Sequence, residues 1–342
     1  MQTSSSSPAS APPPRLSVCV PTYRRPELLA LALQCWVPEL ADHAAEVELV
    51  VGDNGACERT RVLVEAAAAC APARYIRHEA NLIYNGNVRR LLERHVRGEW
   101  VWICGDDDFV HRGALATVLA ALQAGPELDY FYVNTRFLPY EAGLPADPLE
   151  VGRSPQAVLA NRDTVPRRLE RVAEIVPMDA ACFSGVYASI WRRRDALAAY
   201  TGDAPLVAFE TLRGTFPHAC HVAENFLHRP CHYFGAPLMT VSHQVSWRDY
   251  GPVFSLHWLP RLYDLLAAHG VPESQLAPHR RAQLRGAWRK LASLRRNRGA
   301  PFGRPFSIRQ FIASNWRFPE FWRIGPDALL KNRLARRLAG RP

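Results

Sequence analysis

No stretch of the 342-residue chain supplies the roughly 18 consecutive apolar residues that a membrane-spanning helix needs, so no span is expected. The start of the chain has neither the basic residues nor the apolar run of about 7–15 that make a secretory signal, which argues against export. The eight cysteines (19, 35, 57, 70, 104, 182, 220 and 231) contain no C-x-x-C pair. A zinc site and a disulfide framework are therefore set aside, and the thiols read as small core residues in a reducing cytoplasm. No G-x-G-x-x-G follows the first apolar run, which removes the dinucleotide fingerprint. Helix-turn-helix and zinc-finger signatures are missing too, and there is no internal repeat.

What is present is an ordinary globular composition, 48% hydrophobic and 22% charged, long enough to bury a sizeable core. The first fourteen residues, rich in Ser, Pro and Ala, read as a disordered leader. Charge is distributed unevenly. From Arg280 to the end, 17 Lys and Arg face only Glu320 and Asp327, so this segment carries +15 and the preceding 279 residues sum to −5.

Residues 16–134 alternate short apolar runs with helical patterns, as expected of parallel strands joined by crossover helices in an α/β fold. Strands are predicted at 16–21, 46–53, 74–78, 100–104 and 130–134, and helices from Pro26, over 58–69, through Leu91 and Leu92, and over 113–123. Polar residues close four of these strands, and ligands of such sheets bind beyond the strands' carboxyl ends. Residues 135–165 read as a loop insertion. A strand at 182–191, a helix from 192 through Tyr200, helical patterns at 206–212 and 218–227, and an extended stretch at 231–244 complete the body.

The turn Gly105-Asp106-Asp107-Asp108 follows the apolar run Trp100-Val101-Trp102-Ile103-Cys104. Three adjacent carboxylates repel, and a hard divalent cation such as Mg²⁺ or Mn²⁺, shared with the oxygens of a diphosphate, relieves that repulsion. The alternative is a solvated turn with an acidic helix start. Three further patterns accompany the aspartates: Pro21-Thr22-Tyr23-Arg24-Arg25 after the first strand, Asp53-Asn54-Gly55 after the second, and Asn81-x-x-x-Asn85-Gly86-Asn87 before the fourth.

Over residues 16–134 this set resembles the inverting glycosyltransferase family 2 with the GT-A fold, a Rossmann-like, mostly parallel sheet with flanking helices. The G-D-D-D form looks most like the abequosyltransferase-type branch that builds bacterial surface polysaccharides. The resemblance implies that Pro21, Thr22, Tyr23 and Arg25 line a nucleotide-sugar pocket and that Asp53 meets the base. Asp107 would meet the ribose, with Asp108, joined by Asp106, at the metal. The family's commoner D-x-D begins with an Asp where Gly105 stands, which leaves the division of labour among the three aspartates open. Asn81, Asn85 and Asn87 are nucleotide contacts or turn formers.

Inversion needs a base on the acceptor side, for which His218, Glu210 and Glu224 are the candidates, with Asp179 further off. His243 is a late metal or diphosphate contact or a surface histidine. The expected divisions are a GT-A domain at 15–257, with a nucleotide-binding half at 15–134 and an acceptor half at 166–257, and a basic helical region at 258–342. In that last region Leu284, Trp288, Leu291 and Leu294 fall at helical spacing among arginines, and seven aromatics from Phe302 to Trp322 follow. This suits peripheral attachment to the inner face of the plasma membrane beside a lipid-linked acceptor, or a helix packed on the body with a solvated basic face. The rival functions are a metal-dependent nucleotidyltransferase, for which Thr22–Arg25 lacks a glycine-rich phosphate loop, and a nucleic-acid-binding module using the basic tail.

Overall fold

The structure, a computed structural model, describes residues 12–179, 181–202, 207, 209–242, 248–296 and 306–322. The fold is mixed α/β. Strands β1 (Leu16–Thr22), β2 (Val47–Asp53), β3 (Ala73–Arg77) and β4 (Trp100–Ile103) pair in parallel in the order β3-β2-β1-β4. Helices α1 (Pro26–Asp42), α2 (Glu58–Ala68) and α3 (Ile83–Arg94) make the crossovers. Every residue of β1 and β2 is buried, which explains their continuous apolar runs: a parallel sheet is covered on both faces.

The sheet continues through β9 (Ser189–Arg192), β6 (Tyr130–Leu138) and β10 (Cys231–Ser242) to β5 (Asp108–Val110). Strand β9 runs antiparallel between β4 and β6, β6 and β10 are parallel, and β5 pairs antiparallel with the end of β10, Asp108 opposite Val241. Two short strands, β7 (Val158–Leu159) and β8 (Arg167–Leu169), pair with β6 and β10. The mostly parallel sheet is thus as expected.

Local departures have local causes. Where a strand was expected at 182–191, only 189–192 is extended. Cys182 and Phe183 hold left-handed backbone at φ 52° and 64°, and a 3₁₀ turn at Val186–Ala188 precedes the strand. The insertion at 135–165 is partly ordered, since β6 runs on to Leu138 and β7 pairs with it. At 206–212, Phe209 and Glu210 form a turn and the helix α6 (Leu212–Thr215) starts later, with the Thr211 hydroxyl accepting from Gly214 N. Leu206, His243, Phe302 and residues 1–11 of the leader lie outside the described residues.

Apolar side chains fill both faces of the sheet. On one, α1, α2 and α4 (Ala114–Ala124) contribute Leu33, Trp36, Val64, Leu115 and Val118. On the other, α3 packs with α5 (Arg193–Tyr200), α7 (Pro217–Asn225) and the C-terminal helices. Those are α8 (Gly251–Val253), which runs through a π-turn into α9 (Leu259–Ala268), then α10 (Glu273–Leu284), α11 (Ala287–Arg296), α12 (Ile308–Asn315) and α13 (Pro319–Trp322). The expected boundary at 257/258 falls inside the continuous helical rod, and Leu262, Leu266, Leu276, Leu284, Leu291 and Leu294 share the core of α5 and α7. No helix among the described residues is long and apolar enough to cross a membrane.

Gly52, near the end of β2, governs how closely α3 approaches the sheet. A Cβ there would lie 2.3 Å from Asn87 Oδ1 and 2.8 Å from Leu91 Cδ1, while Asn87 Nδ2 donates to Gly52 O at 2.8 Å. Gly52→Ala should therefore destabilise the fold by about 2 kcal/mol through overpacking. Denaturant unfolding measures this, and an unchanged midpoint would show that α3 yields at no cost.

Candidate active site

The turn after β1 is shaped to aim one guanidinium inward. Arg24 takes left-handed backbone (φ 54°), Tyr23 and Arg24 point outward with the guanidinium carbon 5.2 Å from the ring centroid, and Pro26 starts α1. Arg25 then reaches the turn after β4. Its NH1 donates to Asp106 Oδ1 at 2.7 Å and its NH2 to Asp107 Oδ2 at 3.0 Å, while Thr22 Oγ1 donates to Asp106 Oδ2 at 2.7 Å. Gly105 N donates to Asp108 Oδ2 at 2.6 Å. All three aspartates are buried.

The glycine that departs from the family pattern has a steric reason. A Cβ on Gly105 would lie 2.6 Å from Asp107 Oδ1 and 3.2 Å from Asp108 Oδ2, so the carboxylates fold back over a residue without a side chain. Burial and the neighbouring Asp107 push the Asp106 carboxyl up to about 7, with Arg25 and Thr22 opposing. Burial and Asp107 likewise raise Asp108 well above the carboxylate range. One guanidinium faces three acids, which leaves the turn electron-rich by two charges when all are ionised.

That donor set suits a hard divalent cation. Among the described residues no three His, Cys, Asp or Glu side chains surround one point, so Asp108 and Asp106 would hold an ion only together with ligand oxygens, the usual arrangement for Mg²⁺ on a diphosphate. The end of β10 closes the turn from its other side, with Ser242 N donating to Asp107 O at 3.2 Å.

The remaining predicted donor-side residues act as ties. Asp53 is buried and receives Gly55 N (2.8 Å), Cys57 N (2.7 Å) and Tyr75 Oη (2.8 Å), which fixes the loop into α2. Asn81 Oδ1 accepts from Ile83 N at 2.8 Å in a helix-starting turn. Asn85 Nδ2 donates to Gly214 O at 2.7 Å and joins α3 to α6. Asn87 links Gly52 O to His78 Nε2, the latter at 2.8 Å. Asn54, part of the Asp-Asn-Gly pattern but given no role of its own there, clamps the start of α3 by donating to Ile83 O at 2.9 Å and accepting from Leu82 N at 3.0 Å.

On the acceptor side, Glu224 is spent in an ion pair with Arg213, whereas Glu210 is exposed on the turn before α6. His218 is buried at the start of α7. Its Nε2 donates to Ser184 O at 3.2 Å, and burial lowers its pKa to about 4. Asp179 is buried and accepts from Ala181 N (2.8 Å) and Phe183 N (2.7 Å), which holds the left-handed turn that follows it.

Tyr187, to which the sequence assigned no role, lies near the turn, and burial followed by the charges of Asp108, Asp179 and Asp107 raises its phenol. It packs over Gly185, where a Cβ would meet its Cζ at 2.5 Å, and Trp102 Nε1 donates to its carbonyl at 2.7 Å. The single signal available was the Gly-x-Tyr spacing, which carries no chemistry alone.

A folded-state pKa above the unfolded value means that Asp106 is protonated in the folded chain and ionised in the unfolded one between about pH 4 and 7. In chelator, the wild type should therefore gain stability relative to Asp106→Asn as pH falls from 7 to 5, by on the order of 1 kcal/mol per pH unit. Thermal unfolding of the two proteins across that range measures the difference, and a pH-independent gap would exclude titration of Asp106.

A family model described as "Glycosyl transferase family 2" matches residues 17–142. No curated protein matches the chain in sequence. Among solved structures, S. aureus TarS 1-349 superposes with a TM-score of 0.52 at 13% identity, covering 86% of this chain and 76% of that one. Its complex with UDP gives 0.51 at 14% identity over the same shares. The mannosyltransferase PcManGT from Pyrobaculum calidifontis, in complex with GDP-Man and Mn2+, gives 0.50 at 17% identity and covers 92% of this chain and 85% of that one. At these identities the neighbours speak to the fold alone. The family match thus spans 126 of the 342 residues, and what the whole chain shares with these structures is the fold, a GT-A-type α/β sheet with flanking helices.

Proposed function

We propose that the protein is an inverting glycosyltransferase that moves a hexose or deoxyhexose from a nucleoside-diphosphate sugar to a glycan acceptor. The proposal extends to a lipid-linked acceptor, to bacterial surface polysaccharide assembly of the abequosyltransferase type, and to action on the inner face of the plasma membrane. The observation that carries it is the cluster of Thr22, Arg25, Asp106, Asp107 and Asp108 at the carboxyl ends of β1 and β4, inside a family 2 domain. TarS with UDP and PcManGT with GDP-Man and Mn2+ provide fold-level support for a nucleotide-sugar donor and for Mn²⁺ or Mg²⁺.

Asp108 and Asp106 are the residues suited to hold the ion, which when bound supplies positive charge to the leaving diphosphate. Arg25 bridges Asp106 and Asp107 through its two terminal nitrogens, and Thr22 fixes the second oxygen of Asp106. Transfer forms a bond from the acceptor oxygen to the anomeric carbon as the bond to the diphosphate breaks, and the acceptor proton passes to a base on the opposite face. We assign that base to Glu210. It is an exposed carboxylate on the segment that Asn85 ties to α3, whereas His218 is buried and Glu224 is ion-paired.

Screening UDP-, GDP-, CDP- and dTDP-sugars with Mn²⁺ by thermal shift should find one stabilising donor. Asp108→Ala should lose that shift and cut metal-dependent transfer by about 100-fold or more. A normal shift and rate in this variant would remove Asp108 from the site, and silence with every donor would remove the donor class. Glu210→Gln should lower kcat by about 100-fold with little change in donor KM. Full activity there, together with collapse in His218→Gln of unaltered fold, would transfer the role to His218.

A further inference from the structure

The amphipathic pattern at 284–294 has two physical readings, and burial separates them. Leu284, Ala287, Leu291 and Leu294 are all buried in the core shared with α5 and α7, so this apolar face is already covered by protein. The aromatics that follow divide differently. Phe321 is 1% exposed and packs on Trp288, with ring centroids 4.8 Å apart, and Phe306, Ile308, Phe311 and Ile312 lie half-buried against the same core. These side chains anchor α12 and α13. Trp316, Phe318 and Trp322 are turned outward, with exposures of 51%, 46% and 47%.

Three outward aromatics within seven residues form a patch with internal order. Trp322 Nε1 donates to Trp316 O at 2.6 Å, and the Arg317 guanidinium carbon sits 5.6 Å from the Trp316 ring centroid. The surrounding sequence is basic: from Arg280 onward 17 Lys and Arg stand against two acids, all but Lys290 and Lys331 being arginine. Tryptophan, amphipathic and rigid, is the side chain favoured at the boundary between water and lipid headgroups, and a basic segment is drawn to anionic headgroups.

We infer that Trp316, Phe318 and Trp322 form the surface through which the protein docks on an anionic lipid bilayer, with the exposed Arg309 and Arg317 and the basic C-terminal sequence supplying the electrostatic attraction. The apolar face of α11 takes no part. This deepens the proposed function, since it places the enzyme where a lipid-linked acceptor lies. The docking is nevertheless measurable without any transfer reaction, so failure of one leaves the other standing.

The test uses the full chain and flotation with vesicles of phosphatidylcholine alone or of equimolar phosphatidylcholine and phosphatidylglycerol. The wild type should float with the mixed vesicles only and should be largely released at about 1 M salt, where screening is short-ranged. Trp316→Ser with Phe318→Ser should weaken binding by about tenfold, as expected for removing buried apolar area at the interface, with an unchanged unfolding temperature. Trp316→Phe with Trp322→Phe guards against a folding artefact. It should still float but lose the quenching of tryptophan emission by brominated lipid that the wild type displays. Undiminished flotation of the serine variant, or undiminished quenching in the phenylalanine variant, would overturn the assignment. So would a wild type that ignores both vesicles yet binds single-stranded RNA with a steep salt dependence, which would make nucleic acid the partner of the patch.

Discussion

The constraint on which the rest of the site depends is the crowding of three carboxylates over Gly105. Their mutual repulsion opposes burial, and the Arg25 guanidinium, the Thr22 hydroxyl and the Gly105 N–H answer it. Removing a partner from a buried charge costs more than the pair contributes when intact, so Thr22 and Arg25 are as necessary to the turn as the aspartates. Burial and mutual repulsion push the Asp106 and Asp108 carboxyls upward, a cost of ionising them that a bound cation would relieve.

Keeping such a turn in place requires rigid neighbours, and the sheet supplies them. Strand β1 lies between β2 and β4, so Thr22 faces the end of β4 without any long loop to position it. Asn54 and Asn87 tie α3 to the end of β2, and Asn85 carries the connection on to Gly214 in the second half of the chain. The acceptor-side segment is thereby referenced to the donor side through hydrogen bonds to backbone. A buried amide that satisfies its partner in only one orientation is a precise spacer, because the alternative leaves a polar group unpaired.

The parallel half of the fold was legible because β1, β2 and β4 are buried along their whole length and read as mainly apolar runs ending in polar residues. The aspartate turn was legible because like charges side by side demand an explanation. Roles were harder to read than positions. Asp53 ends its strand as expected, yet its oxygens are taken up by Gly55, Cys57 and Tyr75, and nothing in Asp-Asn-Gly separates a ligand contact from a turn clamp. Tyr187 carried no chemical signal in the sequence, because the charges that raise its phenol, Asp108 and Asp179, are 71 positions apart and act on it only in the tertiary fold. The expected strand at 182–191 failed for a related reason. Asp179 captures two backbone N–H groups and bends the chain into left-handed conformation at an apolar stretch that otherwise suits a strand.

The C-terminal region illustrates the limit of periodicity. A helix with one apolar stripe and many arginines has the same pattern whether it lies on lipid or on protein, because both partners offer an apolar surface. What distinguishes them is whether the stripe is already covered, and α11 is covered whereas the turn from Trp316 to Trp322 is not. Helix α11 therefore belongs to the stability of the fold, since exposing Leu291 and Leu294 to lipid would mean opening the core they share with α5 and α7. Trp316 and Phe318 stand outside that core, so covering them with another surface would disturb no contact that holds the sheet and the aspartate turn together.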